Sequence, residues 1–158
     1  MLATVHALVA GMIATAVPDP LSASTLSLTS HFFLDSVPHW DFGTDWEKRS
    51  KAYTGAIAIG ETLFGLTLTY ILFASHAPHI TLLCAVVASE LPDWLEAPWY
   101  IFFASSEKTA VGSHDSVIKR IFFSVRQITN VFHTRAPFLL GISTQIIAIL
   151  FFALLLLV

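Results

Sequence analysis

The last 21 residues, Phe138 to Val158, carry no ionisable side chain. A bilayer core about 30 Å thick is crossed by roughly 20 apolar residues in a helix, so this segment has the length and character of a span. Two more blocks reach that length. Thr54 to Ala74 holds one charge, Glu61, and His79 to Ala104 holds Glu90, Asp93 and Glu96 beside Pro92 and Pro98. Two shorter apolar blocks, Leu2 to Val17 and Leu21 to Val37, are separated by Pro18-Asp19-Pro20 and are expected to pack as a pair. Charged residues are 12% of the chain and hydrophobic residues 55%. A soluble domain carries about 25% charged residues, so a soluble globular enzyme is excluded, as is disorder. The net charge of −3 does not suit a nucleic-acid binder. The single cysteine, Cys84, excludes an intrachain disulfide and a thiolate cluster. The expectation is an all-α, polytopic membrane bundle forming one domain over residues 1–158. It has about five spanning helices, at 2–17, 21–37, 54–74, 79–104 and 138–158.

The basic residues orient it. Lys48, Arg49 and Lys51 lie between the second and third blocks, and Lys108, Lys119, Arg120, Arg126 and Arg135 between the fourth and fifth. All eight therefore fall in two alternate loops. By the positive-inside rule those loops and the N-terminus face the cytoplasm, in a multi-pass protein of the plasma (inner) membrane. Ala14-Thr15-Ala16 is a passable cleavage site, but no positive residue precedes the apolar stretch, so residues 1–20 read as a retained helix. Between Ser116 and Phe132, apolar residues recur at helical spacing, with Lys119, Arg120 and Arg126 off the stripe. This reads as an interfacial helix at 116–132; a helix covering its neighbours would need the same stripe.

Ionisable residues inside apolar spans are costly and mark function. His31 and Asp35 are four apart and share a helix face, so together they can chelate a metal ion. Pro38 ends that helix, which puts His39 and Asp41 on a loop at the cytoplasmic surface. Glu90, Asp93 and Glu96 repel one another unless a cation balances them, and Pro92 is expected to unwind the helix beside them. With Trp94, Trp99 and Tyr100 nearby, Glu96 reads equally well as part of an interfacial belt. His6, Glu61 and His133 come from three other elements. His133 is preferred to His114, because 19 helical residues would part the two by about 28 Å. His76 and His79 read as loop residues on the opposite side. The expected metal ligands are thus His6, His31, Asp35, His39, Asp41, Glu61, Asp93, Glu96 and His133, all at the cytoplasmic level. Imidazole and carboxylate without thiolate suit zinc, with manganese or iron as alternatives. The supply is enough for two ions, or for one ion with supporting groups.

The motifs Thr4-Val5-His6-Ala7-Leu8-Val9, His31-x3-Asp35-x2-Pro38-His39-x-Asp41 and Pro92-Asp93 occur in that order. In this the chain resembles the YdjM-like group of small membrane-bound predicted metal-dependent hydrolases, over its N-terminal two thirds. The His-x3-Asp pair is also similar to ligand pairs in zinc-dependent phospholipase C. The resemblance implies an all-α membrane fold, ligands at His6, His31, Asp35, His39 and Asp93, and hydrolytic activity. The chain departs from the group in lacking an Arg-Gly after His114. The expected function is a metal-dependent hydrolase of a phosphoester in a membrane lipid or lipid-linked small molecule. Glu90 or Asp93 would be the catalytic base, and Arg120 and Arg126 would hold anionic headgroups. A divalent-metal or proton-coupled transporter is the alternative.

Overall fold

The computed structural model describes residues 1–44, 46–104, 111–112 and 114–158; Lys108 lies outside the described residues. These residues are all-α, with six helices: α1 Ala3–Ala16, α2 Pro20–Ser36, α3 Lys51–Phe73, α4 His79–Pro98, α5 Val117–Phe132 and α6 Phe138–Leu157. A short 3₁₀ turn, Trp46–Lys48, precedes α3, and a π-helical turn, Trp99–Phe103, prolongs α4.

Local sequence explains most of the boundaries. Asp19 caps α2 by accepting from the Ser22 N–H at 2.8 Å, and Pro20 sits in the first turn where its missing N–H costs nothing. Val37, extended before Pro38, stops the same helix. Ser50 caps α3 through the Tyr53 N–H. The expected unwinding at Pro92 does not occur: α4 runs through it to Pro98. The irregularity comes later, where the Ala104 N–H reaches back five residues to the Trp99 carbonyl at 2.8 Å.

α1 is apolar on every side and buried along nearly its whole length, as befits a central helix. Its 14 residues span about 21 Å, short of a bilayer core. α3, α4 and α6 pack around it. α2 touches it too but lies mainly along α4, so the first two helices are not an isolated pair. Gly65 is where α3 crosses α1: a Cβ there would stand 2.9 Å from the Thr4 Cα. Among the described residues two helices, α3 and α6, are long and apolar enough to cross a membrane. Both leave large apolar side chains exposed, Ile71 and Leu154 among them. α4 has the length, but it carries three carboxylates.

Two polar residues of the amphipathic segment reach inward. Arg126 bonds the Tyr100 hydroxyl at 3.3 Å, and the Thr129 hydroxyl donates to Glu96. Val117, Ile121, Ile128 and Val131 face outward, all more than half exposed. The stripe is divided, since Phe122 packs on Phe103 and Phe132 on Phe32, with ring centroids 5.9 and 5.3 Å apart.

After α5 the chain pairs by its backbone with the segment that follows α2. The Thr134 N–H donates to the Asp35 carbonyl at 3.0 Å, the His39 N–H to that of Thr134 at 3.0 Å, and the Ala136 N–H to that of His39 at 2.8 Å. Gly141, at the start of α6, lies against the same loop, where a Cβ would come within 2.2 Å of the Trp40 nitrogen. Gln145 fastens it further, donating to the Trp40 carbonyl at 2.8 Å and accepting from the Leu2 N–H at 3.0 Å.

Candidate metal centre

The pairing of residues 134–136 with residues 35–39 brings two sets of histidines to one carboxylate. Asp35, 2% exposed, lies among four imidazoles. Its Oδ1 is 3.2 Å from His6 Nε2 and 3.8 Å from His39 Nε2. Its Oδ2 is 3.5 Å from His31 Nε2 and 3.6 Å from His133 Nδ1. The amino group of Met1 also meets Oδ1.

The donor atoms fall into two triads, each with its atoms within 4.8 Å of one another. His6, His31 and Asp93 form one, and His31 Nε2 is 3.8 Å from Asp93 Oδ1. The His6 and His31 rings stack with centroids 4.1 Å apart. Asp35, His39 and His133 form the other, with 3.3 Å between His39 Nε2 and His133 Nε2. Asp41 adjoins this second triad, its Oδ2 lying 2.8 Å from His133 Nε2 and 3.4 Å from His39 Nε2.

These separations decide the chemistry. Ligand atoms about 2.05 Å from a tetrahedral ion stand roughly 3.3 Å apart. Most of the contacts above are too long for strong hydrogen bonds and match that edge length. Orphaned atoms point the same way. Both nitrogens of His31 and Nδ1 of His6 are buried without a hydrogen-bond partner, a costly state for polar atoms inside a bundle. The geometry also selects donor atoms. His39 Nδ1 lies 2.8 Å from the Val37 carbonyl, which can only accept, so Nδ1 carries the proton and Nε2 is left free to bind a cation. Asp41 Oδ1 is occupied by the Thr44 N–H at 2.8 Å, which turns Oδ2 towards the histidines. Residues fit for a metal are therefore present in two adjacent groups.

Among the candidate ligands outside the helices, His133 and Asp41 are shifted. Burial works against a charged His133, but its hydrogen bonds to Asp35 and Asp41 outweigh burial and raise it to about 9. Burial likewise opposes a charged Asp41, but His133 and His39 hold its carboxyl well below the usual range.

The expected ligands are not all placed alike. His39 and Asp41 are buried rather than at the surface, because the backbone pairing and Gln145 fold their loop inwards. Glu61 and Glu96 are in neither triad. Glu61 accepts the Thr4 N–H at 3.2 Å, and Glu96 accepts the Thr129 hydroxyl. Trp99, offered as part of an interfacial belt, is 1% exposed. Glu90 is 1% exposed with both oxygens unpartnered. His114 is exposed at the far end of α5, while His79 stacks near Tyr70 at the opposite end of the bundle. The residue that sequence reasoning missed is Gln145. Its only signal is being the one amide, after Ser143 and Thr144, in a long apolar run.

His133 of the second triad, with Asp41 and Asp93, opens on a cavity of about 430 Å³ between α3, the C-terminal part of α4 and the loop after α2. Asp41, Glu61, Asp93, Glu96 and His133 line its polar side, while Ile57, Ala58, Ala97 and Ile101 supply apolar wall. Glu90 is not among the lining residues. Arg135 also borders the cavity. No family model matches the chain, and neither the curated proteins nor the solved structures include a significant match.

Proposed function

We propose that the chain is a multi-pass membrane protein holding two divalent ions, zinc by ligand type, and hydrolysing a phosphoester of a lipid or lipid-linked substrate at the cytoplasmic face. The observation that supports it most is Asp35. One buried carboxylate lies against both imidazole pairs, with Oδ1 near His6 and His39 and Oδ2 near His31 and His133, so it would serve ions held by either pair. Two ions held there would supply positive charge for both the attacking and the leaving oxygen of a phosphoryl displacement. His6, His31 and Asp93 would hold one ion; His39, His133 and Asp41 the other. The metals, when bound, supply a water of lowered pKa and neutralise phosphate charge. Asp93 borders the cavity and its side chain is a third exposed, so it is placed to take the proton of the attacking water. A P–O bond forms to that water oxygen, the bond to the leaving oxygen breaks, and the leaving oxygen receives the proton that Asp93 took. Glu90, buried, without a hydrogen-bond partner and off the cavity wall, is not assigned the proton transfer.

For the topology we adopt five membrane-inserted helices, α1 to α4 and α6, with the N-terminus cytoplasmic and α5 at the interface. The clustering of basic residues between α2 and α3 and between α4 and α6 supports this. The resemblance in motif order to the YdjM-like group is compatible with the hydrolase reading.

The test is a screen of phospholipid and lipid-diphosphate substrates with metal-loaded protein, beside a metal-flux assay in liposomes. Metal-dependent release of phosphate is expected, falling by about 10²-fold or more in Asp93→Asn. Metal flux with no hydrolysis across the panel would replace the hydrolase with a transporter.

A further inference from the structure

The cavity beside the metal centre is divided between two chemistries. Its inner side presents carboxylates and His133. Its other walls are Ile57, Ala58 and Leu63 of α3 and Ala97 and Pro98 of α4, with Trp94 beside them. Ile59 and Leu63 line the cavity and are also 62% and 57% exposed. The cavity therefore reaches the apolar outer surface of α3, a helix long and apolar enough to cross a membrane. A polar small molecule would gain nothing from those walls. At about 430 Å³ the space lies within the common range for small-molecule sites.

We infer that the cavity binds an amphiphile with its phosphate at the Asp41–Asp93–His133 end and its hydrocarbon chain between Ala58 and Ala97, reaching the bilayer sideways past Ile59 and Leu63. This rests on the hydrolase reading for the metal end, and it adds the substrate's orientation and its route of access. Uncompensated carboxylates would repel phosphate, so binding needs the metals in place. The apolar walls make a chain a requirement for tight binding. Ala58 and Ala97 act as specificity residues, since their small side chains leave the room the chain takes.

Two tryptophans, Trp46 and Trp94, line the cavity and report on it; Trp40 and Trp99 do not line it. The probe is 12-bromododecyl phosphate, whose bromine quenches indole fluorescence on contact, added to zinc-loaded protein in lipid nanodiscs. 12-Bromododecanol is the phosphate-free control. Saturable quenching is expected from the phosphate, at least about tenfold stronger than from the alcohol. Trp94→Phe should remove a large share of it. Ala58→Phe fills the channel and should weaken the phosphate probe about tenfold. Bound zinc and helix content, measured on each variant, show that the centre and fold persist; Ala97→Phe serves if Ala58→Phe loses either. Equal quenching by phosphate and alcohol, or by wild type and the filled variant, overturns the proposal. Binding without turnover of any substrate keeps this inference and removes the hydrolase. Hydrolysis of short water-soluble phosphoesters, with no gain from a chain, does the reverse.

Discussion

His31 carries the sharpest consequences of any single residue. Its ring is buried, both nitrogens lack a hydrogen-bond partner, and Nε2 faces Asp35 and Asp93. His31→Ala should lose most metal from the first triad and leave Asp93 without its cation, whereas His76→Ala should leave metal content unchanged. Elemental analysis of the purified variants decides. His133 sets the pH dependence. Its raised value, about 9, means that the metal-free imidazole is protonated at neutral pH. A protonated ring cannot bind a cation, so metal must displace that proton. Affinity at the second triad should rise about tenfold per pH unit from 7 and level off near 9. Calorimetry in buffers of different ionisation enthalpy should find a proton released on binding at pH 7. Affinity independent of pH over that range would remove His133 from the site.

At the scale of elements, the His-x3-Asp pair on α2 was legible because a helix forces residues four apart onto one face. The end of α2 at Pro38 and the choice of His133 over His114 followed from local rules of the same kind. The inward folding of His39 and Asp41 was not legible. It depends on backbone bonds between residues 35–39 and 134–136, and backbone pairing across nearly a hundred residues leaves no side-chain pattern. The unbroken α4 was missed because Pro92 removes one helical bond while the packing of α4 on α2 and α1 holds the helix together. The Glu61 and Glu96 assignments failed to join a triad for a related reason: depth in the membrane could be inferred, but the facing of each helix could not. Gly141 tests the contact that sets the loop. Gly141→Ala places a methyl against the Trp40 backbone and should cost about 1–3 kcal/mol, with a lower melting temperature and less bound metal. Gly60→Ala, with nothing within 4 Å, should be neutral or stabilising by up to about 1 kcal/mol.

For the molecule as a whole, composition and apolar length led to an all-α fold, and the described residues are helical with two helices fit to cross a membrane. The five-span arrangement is open to direct test. Single cysteines at positions 49 and 126, in a Cys84→Ser background, should label from the same side of intact cells, and one at 158 from the other. Labelling of 49 and 126 from opposite sides would break that topology. In the proposed centre one buried aspartate, Asp35, serves two metal ions. The measurement that tests this most directly is the metal-to-protein ratio of zinc-loaded wild type and Asp35→Ala, determined by elemental mass spectrometry with helix content as the control for folding. The account predicts about two zinc ions per chain in the wild type and fewer than one in a folded Asp35→Ala. A wild type that retains no metal, or a variant that retains the wild-type ratio, would contradict it.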